Sequence, residues 1–388
     1  MKIAIITSGI LPVPAVQGGA VENLIDFYLE YNELYHLHDI TIYSVYHTKV
    51  ADRKELSSKV NHYVYIDLHS IRARFSARLY SYFHKDECYS YKLEYFFEQA
   101  YKKLKKENFQ LIILENRPGF ALKLRERVKS TIITHLHTNM LSGTDNKVKK
   151  IVQANDKLIV VSNFIKKEVE STGITRPIAV VYNGINEQQF KLKNDNYSIS
   201  RKDIGIEKND FVAIYSGRLV PEKGIKDLIL SVVHLSNIYP DIKLLVLGGA
   251  NYADNLKDTS FIEELYKLAE QAKGHIHFMG FVPYEKLPLY LNIANVAVVP
   301  SKINDAFNLT CIEASSLGLP IIATNDGGIP EVLRGLKHIL IEKDENMINN
   351  ISKALIEVKE QYHLYVGNKL NPNFTKENYA KNFFKSLV

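Results

Sequence analysis

Cysteine is scarce in this 388-residue sequence: there are two, Cys88 and Cys311, far apart. They match no zinc-ligand spacing and supply no disulfide framework, which fits a reducing compartment. Long apolar runs are also missing; none nears the ~20 residues that a membrane-spanning helix needs. The opening MKIAIITSG reads as a buried strand running into glycine and proline. It is too short for the apolar core of a signal peptide, so a cytoplasmic protein is expected, and the N-x-S/T sequons at Asn196, Asn308, Asn350 and Asn373 are read as chance. No short-period repeat is visible. With 46% hydrophobic and 24% charged residues the composition is that of a globular protein, which excludes disordered and collagen-like classes. No DNA- or RNA-binding motif occurs, so nucleic acid is not an expected partner. No G-x-G-x-x-G follows the first strand, so a dinucleotide fingerprint is absent there.

The length fits two or three domains at about 150 residues each. The formal net charge is +6. Residues 1–190 carry all of that excess and residues 191–388 balance to zero, so the first half is expected to face an anionic partner, a membrane surface or a phosphorylated substrate. Short β-branched runs recur along the chain. They are Lys2–Thr7, Asp39–Val45, Gln110–Leu114, Ser130–His135, Lys157–Val161 and Ile178–Tyr182, then Phe211–Tyr215, Ile242–Leu247, His275–Met279, Asn295–Val299 and Leu319–Ala323. Most are continuous, not alternating, as strands buried on both faces should be. Helix-like stretches such as Gly19–Leu34, Glu87–Lys106, Lys223–Ser236, Ser260–Ala272 and Leu309–Leu317 separate them. This alternation predicts parallel sheets with right-handed crossovers. It pauses at the polar stretch Asn186–Lys208, read as a linker. The expectation is therefore an α/β protein of two doubly wound domains, 1–190 and 191–370, with an amphipathic terminal helix within Asn371–Val388. Ligands of such sheets bind outside the carboxyl ends of the strands, and two sheets facing each other would form a cleft.

Four stretches at strand ends carry candidate chemistry. After the first strand, Gly18 and Gly19 open a helix, where close backbone approach and free N–H groups suit a phosphate or a sugar, or serve only as a turn. The strand Ser130–His135 runs into His137, whose neutral imidazole can hold a sugar hydroxyl, while His135 inside the strand can equally be a core histidine. After Phe211–Tyr215 come Gly217, Arg218 and, at a helix opening, Lys223; a guanidinium and an ammonium beside a helix N-terminus suit a diphosphate. The densest stretch runs from Val299 to Glu313. Asp305 sits in the loop before a helix that starts near Asn308, where it can contact a sugar hydroxyl. Glu313 lies about one and a half turns inside, placed to grip ribose hydroxyls. The amides of Phe307, Asn308 and Leu309 can hold phosphate. Gly327 and Gly328 read as structural support, with Glu331 a weaker functional candidate.

Together the Gly18-Gly19 loop, His137, the Ser162 region, Asn183-Gly184-Ile185, Gly217-Arg218 with Lys223-Gly224, and the acid-x7-acid element from Asp305 to Glu313 resemble family 4 of the retaining nucleotide-sugar glycosyltransferases. The resemblance spans nearly the whole chain and implies the GT-B architecture, two Rossmann-like domains with the last helix crossing back to the N-terminal one. It implies sugar transfer from a nucleotide-diphosphate sugar, UDP-linked by expectation, with retention and no cofactor. With no D-x-D pair after an apolar strand, no metal is expected. His137 and Asp305 would orient the sugar, Glu313 the ribose, and Arg218, Lys223 and the helix start at Asn308 the departing diphosphate. Two positions depart from the pattern: the first acid is Asp305 where Glu is usual, and Asn308 stands where Gly is usual. The nearest resemblance is to bacterial capsular and exopolysaccharide transferases.

Residues 71–106 hold nine Lys and Arg, four Asp and Glu, and ten Phe and Tyr. Basic residues among aromatics suit an anionic membrane surface, with a lipid-linked saccharide as acceptor at the cytoplasmic leaflet; a core-packing helix pair explains them equally. Two other functions fit the same fold: a nucleotide-sugar epimerase, and a non-catalytic nucleotide-binding paralogue that regulates a partner transferase.

Overall fold

Strands buried in a parallel sheet need apolar side chains on both faces, and the runs named above supply them. The computed structural model describes residues 1–51, 53–83, 88–190, 199–249 and 260–388. Residues 84–87 of the basic-aromatic segment and 191–198 of the polar linker, with the sequon at Asn196, lie outside the described residues. The chain divides into two compact units, Met1–Asn183 with Lys376–Val388, and Gly184–Thr375.

Unit 1 is built on seven parallel strands: β1 (Lys2–Ile6), β2 (Asp39–Val45), β3 (Asn61–Ile66), β4 (Leu111–Glu115), β5 (Thr131–Leu136), β6 (Lys157–Val160) and β7 (Ile178–Val180). Their order is β3-β2-β1-β4-β5-β6-β7. The helices are α1 (Ala20–Tyr35), α2 (Ile71–Phe83), α3 (Tyr91–Leu104), α4 (Phe120–Arg125), α5 (Asn146–Ala154) and α6 (Asn163–Glu170). Local chemistry fixes their starts: Asp145 accepts from the amides of Lys147 and Val148, and the buried Ser162 accepts from Ile165.

Unit 2 has six parallel strands, β8 (Phe211–Ser216), β9 (Ile242–Leu247), β10 (Ile276–Gly280), β11 (Val296–Val299), β12 (Ile321–Thr324) and β13 (His338–Ile341), in the order β10-β9-β8-β11-β12-β13. Its helices are α7 (Ile225–Ser236), α8 (Ser260–Ala269), α9 (Leu287–Asn292), α10 (Leu309–Ser316), α11 (Ile329–Leu333), α12 (Met347–Glu360) and α13 (Tyr362–Tyr365). The last helix, α14 (Lys376–Lys385), belongs to unit 1. It buries Tyr379, Phe383 and Phe384 against the Leu24, Ile25 and Tyr28 face of α1, with Phe383 stacked on Tyr28 at 4.0 Å between ring centroids.

Two strands escape the sequence reading, β3 and β13, and both lie at sheet edges. An edge strand needs no unbroken apolar run: His62 is exposed, Tyr63 and Tyr65 are half-buried, and so are three of the four residues of β13.

In each sheet the strand order reverses direction once, between β1 and β4 and between β8 and β11. Those points, beyond the carboxyl ends of the strands, are where open parallel sheets hold their ligands.

Candidate functional site

In unit 2 the two loops beyond the reversal are bound together. Thr310 at the start of α10 donates its hydroxyl to the carbonyl of Ser216 at the end of β8 (3.3 Å), and the amide of Lys302 donates to the carbonyl of Glu222 (2.9 Å). Gly224 has φ +69°, and a Cβ there would collide with the carbonyl oxygen of Pro300, so only glycine lets the two backbones meet this closely. This approach carries Lys223 to Asp305, with Nζ and Oδ1 2.6 Å apart. Both side chains are largely buried, at 22% and 14% exposure. The other carboxylate oxygen of Asp305 accepts from the Asn308 side-chain amide (3.0 Å), whose own oxygen accepts from the amide of Cys311 (3.1 Å). Asn308 therefore caps α10 and fixes Asp305 in one gesture, which a glycine cannot do. Gly327 and Gly328 press on the same loop from behind: the Gly328 amide donates to the Asp305 carbonyl at 2.7 Å, and a Cβ on either glycine would strike the backbone of Asp305 or Ala306.

Arg218 is half-buried after β8, and its carbonyl accepts from the buried Tyr215 hydroxyl at 2.7 Å. The Gly217 amide closes onto the carbonyl of Leu247. Phe307 is buried edge-on against Phe374, and Leu309 opens α10. Glu313 is 5% exposed. Burial pushes its carboxyl up to about 7, offset in part by the Tyr284 phenol that donates to it. Sequence reasoning missed Tyr284, which approaches from the segment before α9. Nothing in the spacing of the two residues signals the pair.

Unit 1 holds a second cluster. Parallel pairing of β4 and β5 sets Glu115 directly beside His135, and the two-residue period carries His137 to the same side. Glu115 is fully buried and accepts from three groups: the Tyr28 hydroxyl (3.0 Å), His135 Nδ1 (3.2 Å) and His137 Nε2 (3.0 Å). Burial opposes its charge, but His135 and the hydrogen bonds from both histidines overcome that and hold its carboxyl well below the usual range. Burial, with His135 alongside, holds the His137 imidazole low against the pull of Glu115. A neutral His137 that donates from Nε2 keeps Nδ1 as an acceptor, and this buried atom has no partner among the described residues. Asn116, at φ 54°, accepts from the His137 amide and the Thr138 hydroxyl, fixing the turn.

Sequence reasoning missed Glu115 and Tyr28. The available signal was a carboxylate closing an apolar central strand, LIILE. His135 is a core residue bonded to Glu115 through Nδ1, and its buried Nε2 has no partner among the described residues. Among the described residues, Glu115, His135 and His137 are the one group whose donor atoms, all within 4.8 Å of one another, could hold a metal ion.

At the Gly18–Gly19 turn α1 starts on Gly19, at φ 103°. The buried carboxyl of Glu22 folds back to its own amide and to the Ser8 hydroxyl (3.1 Å), and burial pushes it up to about 7. This helix start already holds a carboxyl of the chain, which favours a sugar hydroxyl over a phosphate there. Arg117 supports the turn through its Nε bond to the Ser8 carbonyl (2.9 Å).

Residues 38–189 match the model of Glycosyltransferase Family 4, and residues 196–379 match that of Glycosyl transferases group 1. The protein is a GT-B glycosyltransferase of the group 1 and family 4 type. YtcC of Bacillus subtilis is 28% identical over 390 residues, 97% of this chain and 87% of that one. The lipopolysaccharide 1,2-N-acetylglucosaminetransferase of Salmonella typhimurium is 25% identical over 71% of this chain and 72% of its own. In fold, the glycosyltransferase resembles HepE of Anabaena, solved with UDP and glucose: the TM-score is 0.75 over 100% of this chain and 99% of that one, at 16% identity.

Proposed function

We propose that this glycosyltransferase moves a hexosyl unit from a UDP-sugar to a saccharide acceptor, with retention, and that the acceptor is lipid-linked and belongs to bacterial capsular or exopolysaccharide assembly. The observation that carries the donor reading is the Lys223–Asp305–Asn308 chain at the start of α10, with Arg218 on the loop tied to it. As the bond between sugar and diphosphate breaks, negative charge grows on the leaving group. The Lys223 ammonium, the Arg218 guanidinium and the amide dipoles of α10 are the groups that stabilise it. Asp305, tethered by Lys223 and Asn308, holds a sugar hydroxyl, and a phosphate oxygen of the leaving group takes the acceptor's proton. Glu313 takes the ribose hydroxyls. In unit 1 the bare Nδ1 of His137 accepts from a sugar hydroxyl.

The UDP and glucose bound by HepE and the N-acetylglucosamine transfer named for the Salmonella relative support this choice of donor class. Membrane association at the cytoplasmic leaflet follows from a lipid-linked acceptor. No helix among the described residues is long and apolar enough to cross a membrane.

The test is a donor screen with mass detection of product on a lipid-linked acceptor, together with calorimetry of UDP-glucose. Donor-dependent mass gain on the acceptor and measurable donor binding are expected. Absence of binding by any nucleotide sugar would refute the reading.

A further inference from the structure

The basic, aromatic segment 71–106 admits two sequence readings, core or membrane surface, and the structure separates them by helix. α3 is core: Phe96, Phe97 and Ala100 are fully buried and Leu104 nearly so. α2 is the reverse of an ordinary surface helix. Its buried residues are Ala73 and Ala77, while Ile71 (86% exposed), Phe75 (70%), Leu79 (52%), Tyr82 (81%) and Phe83 (75%) face outward. At about 100° per residue these five fall within an arc of roughly 120°, opposite the two alanines. Arg72 lies within the arc, between Leu79 and Phe83, Arg74 and Arg78 border one edge of it, and the sequence IRARFSARLYSYF contains no acidic residue. Tyr80 anchors the helix edge-on against Tyr95 of α3. A groove of about 700 Å³ opens beside the arc, lined by Leu79, Phe83 and Tyr95 together with Lys102 and the Arg127–Glu98 ion pair. An exposed apolar face of this kind is a binding surface.

We infer that α2 docks unit 1 on an anionic lipid bilayer. The apolar arc lies at the boundary of headgroups and acyl chains, and the three arginines contact lipid phosphates. Charge decides the occupant. Pairing this face with a second copy brings two sets of three arginines together with no carboxylate on either helix, whereas an anionic bilayer satisfies the cations and covers the apolar arc at once. The inference deepens the proposed function and rests on it for the lipid-linked acceptor; the docking itself is measurable without any sugar chemistry.

The experiment is co-sedimentation of the full chain with phosphatidylcholine vesicles, with and without phosphatidylglycerol, at low and high salt. Binding is expected only with phosphatidylglycerol and is expected to fall with salt. Phe75→Ser with Phe83→Ser, both outward, lowers partitioning tenfold or more while the unfolding midpoint and UDP-glucose binding stay unchanged. Each of Arg72→Gln, Arg74→Gln and Arg78→Gln lowers it about fivefold. Equal binding to neutral vesicles, wild-type binding by the double variant, or a solution dimer that the double variant abolishes overturns the docking. Loss of vesicle binding with donor binding intact counts against this inference alone. Absence of donor binding in the unmodified protein counts against the proposed function, whatever the vesicles show.

Discussion

Glu313 gives a prediction whose sign and size both come from its surroundings. Its carboxyl is nearly sealed from water, and this burial pushes it up to about 7 in the free protein against the Tyr284 phenol that donates to it. Ribose hydroxyls donate to the anion, so a donor that binds through them must first expel the proton. About one molecule in eleven is ionised at pH 6 and about ten in eleven at pH 8, which makes affinity for UDP-glucose rise about tenfold across that interval. UDP-glucose suits the measurement because its doubly esterified pyrophosphate does not titrate in this range. Calorimetry in two buffers of different ionisation heat should show close to one proton released per donor bound at pH 6. Glu313→Gln should flatten the pH profile. At pH 8 it should also weaken binding roughly 10- to 100-fold, the value of hydrogen bonds to a charged group at ~1.5–3 kcal/mol. A profile that is flat in the unmodified protein, or the same slope in the glutamine variant, would refute the assignment of Glu313 to the ribose.

Lys223→Ala should lower UDP-glucose affinity tenfold or more by calorimetry, since it removes a charge-assisted contact and frees Asp305 from its 2.6 Å tether. Gly224→Ala should destabilise unit 2 by at least about 1 kcal/mol in urea unfolding, because its φ of +69° and the Pro300 carbonyl both reject a Cβ. Glu115→Gln leaves an amide with one acceptor oxygen where three buried groups donate; a loss of roughly 1–3 kcal/mol is expected by the same method. Phe383→Ala should cost about 3–5 kcal/mol, as it strips a fully buried ring stacked on Tyr28.

The parallel α/β architecture was legible because central strands such as β1, β4 and β8 are apolar on both faces, a signal that needs no partner to be read. β3 and β13 were not, since half-exposed edges relax that requirement. At the site, the residues that stood out were those clustered along one loop: Arg218 and Lys223 after β8, and Asp305 with Asn308 before α10. Groups brought together by register or by long excursions of chain stayed hidden. Glu115 meets His135 only because β4 and β5 pair in one alignment, Tyr28 reaches Glu115 from across the helix layer, and Tyr284 finds Glu313 from a separate segment. The helix α2 shows a further limit: composition marked the region 71–106 as basic and aromatic, but not which helix turns its rings inward, since α2 buries Ala73 and Ala77 where α3 buries Phe96 and Phe97.

The chain passes between its two units twice, at Asn183–Gly184 and again at Thr375–Lys376. During synthesis the two units therefore finish in the opposite order to the one in which they begin. The first emerges early, yet its Tyr28 face stays bare until Tyr379 and Phe383 leave the ribosome, roughly 10–40 s later at ordinary elongation rates. The other is one uninterrupted stretch and can complete its core in that interval. A nascent polypeptide of this design offers chaperones an unfinished aromatic socket throughout the making of its second half.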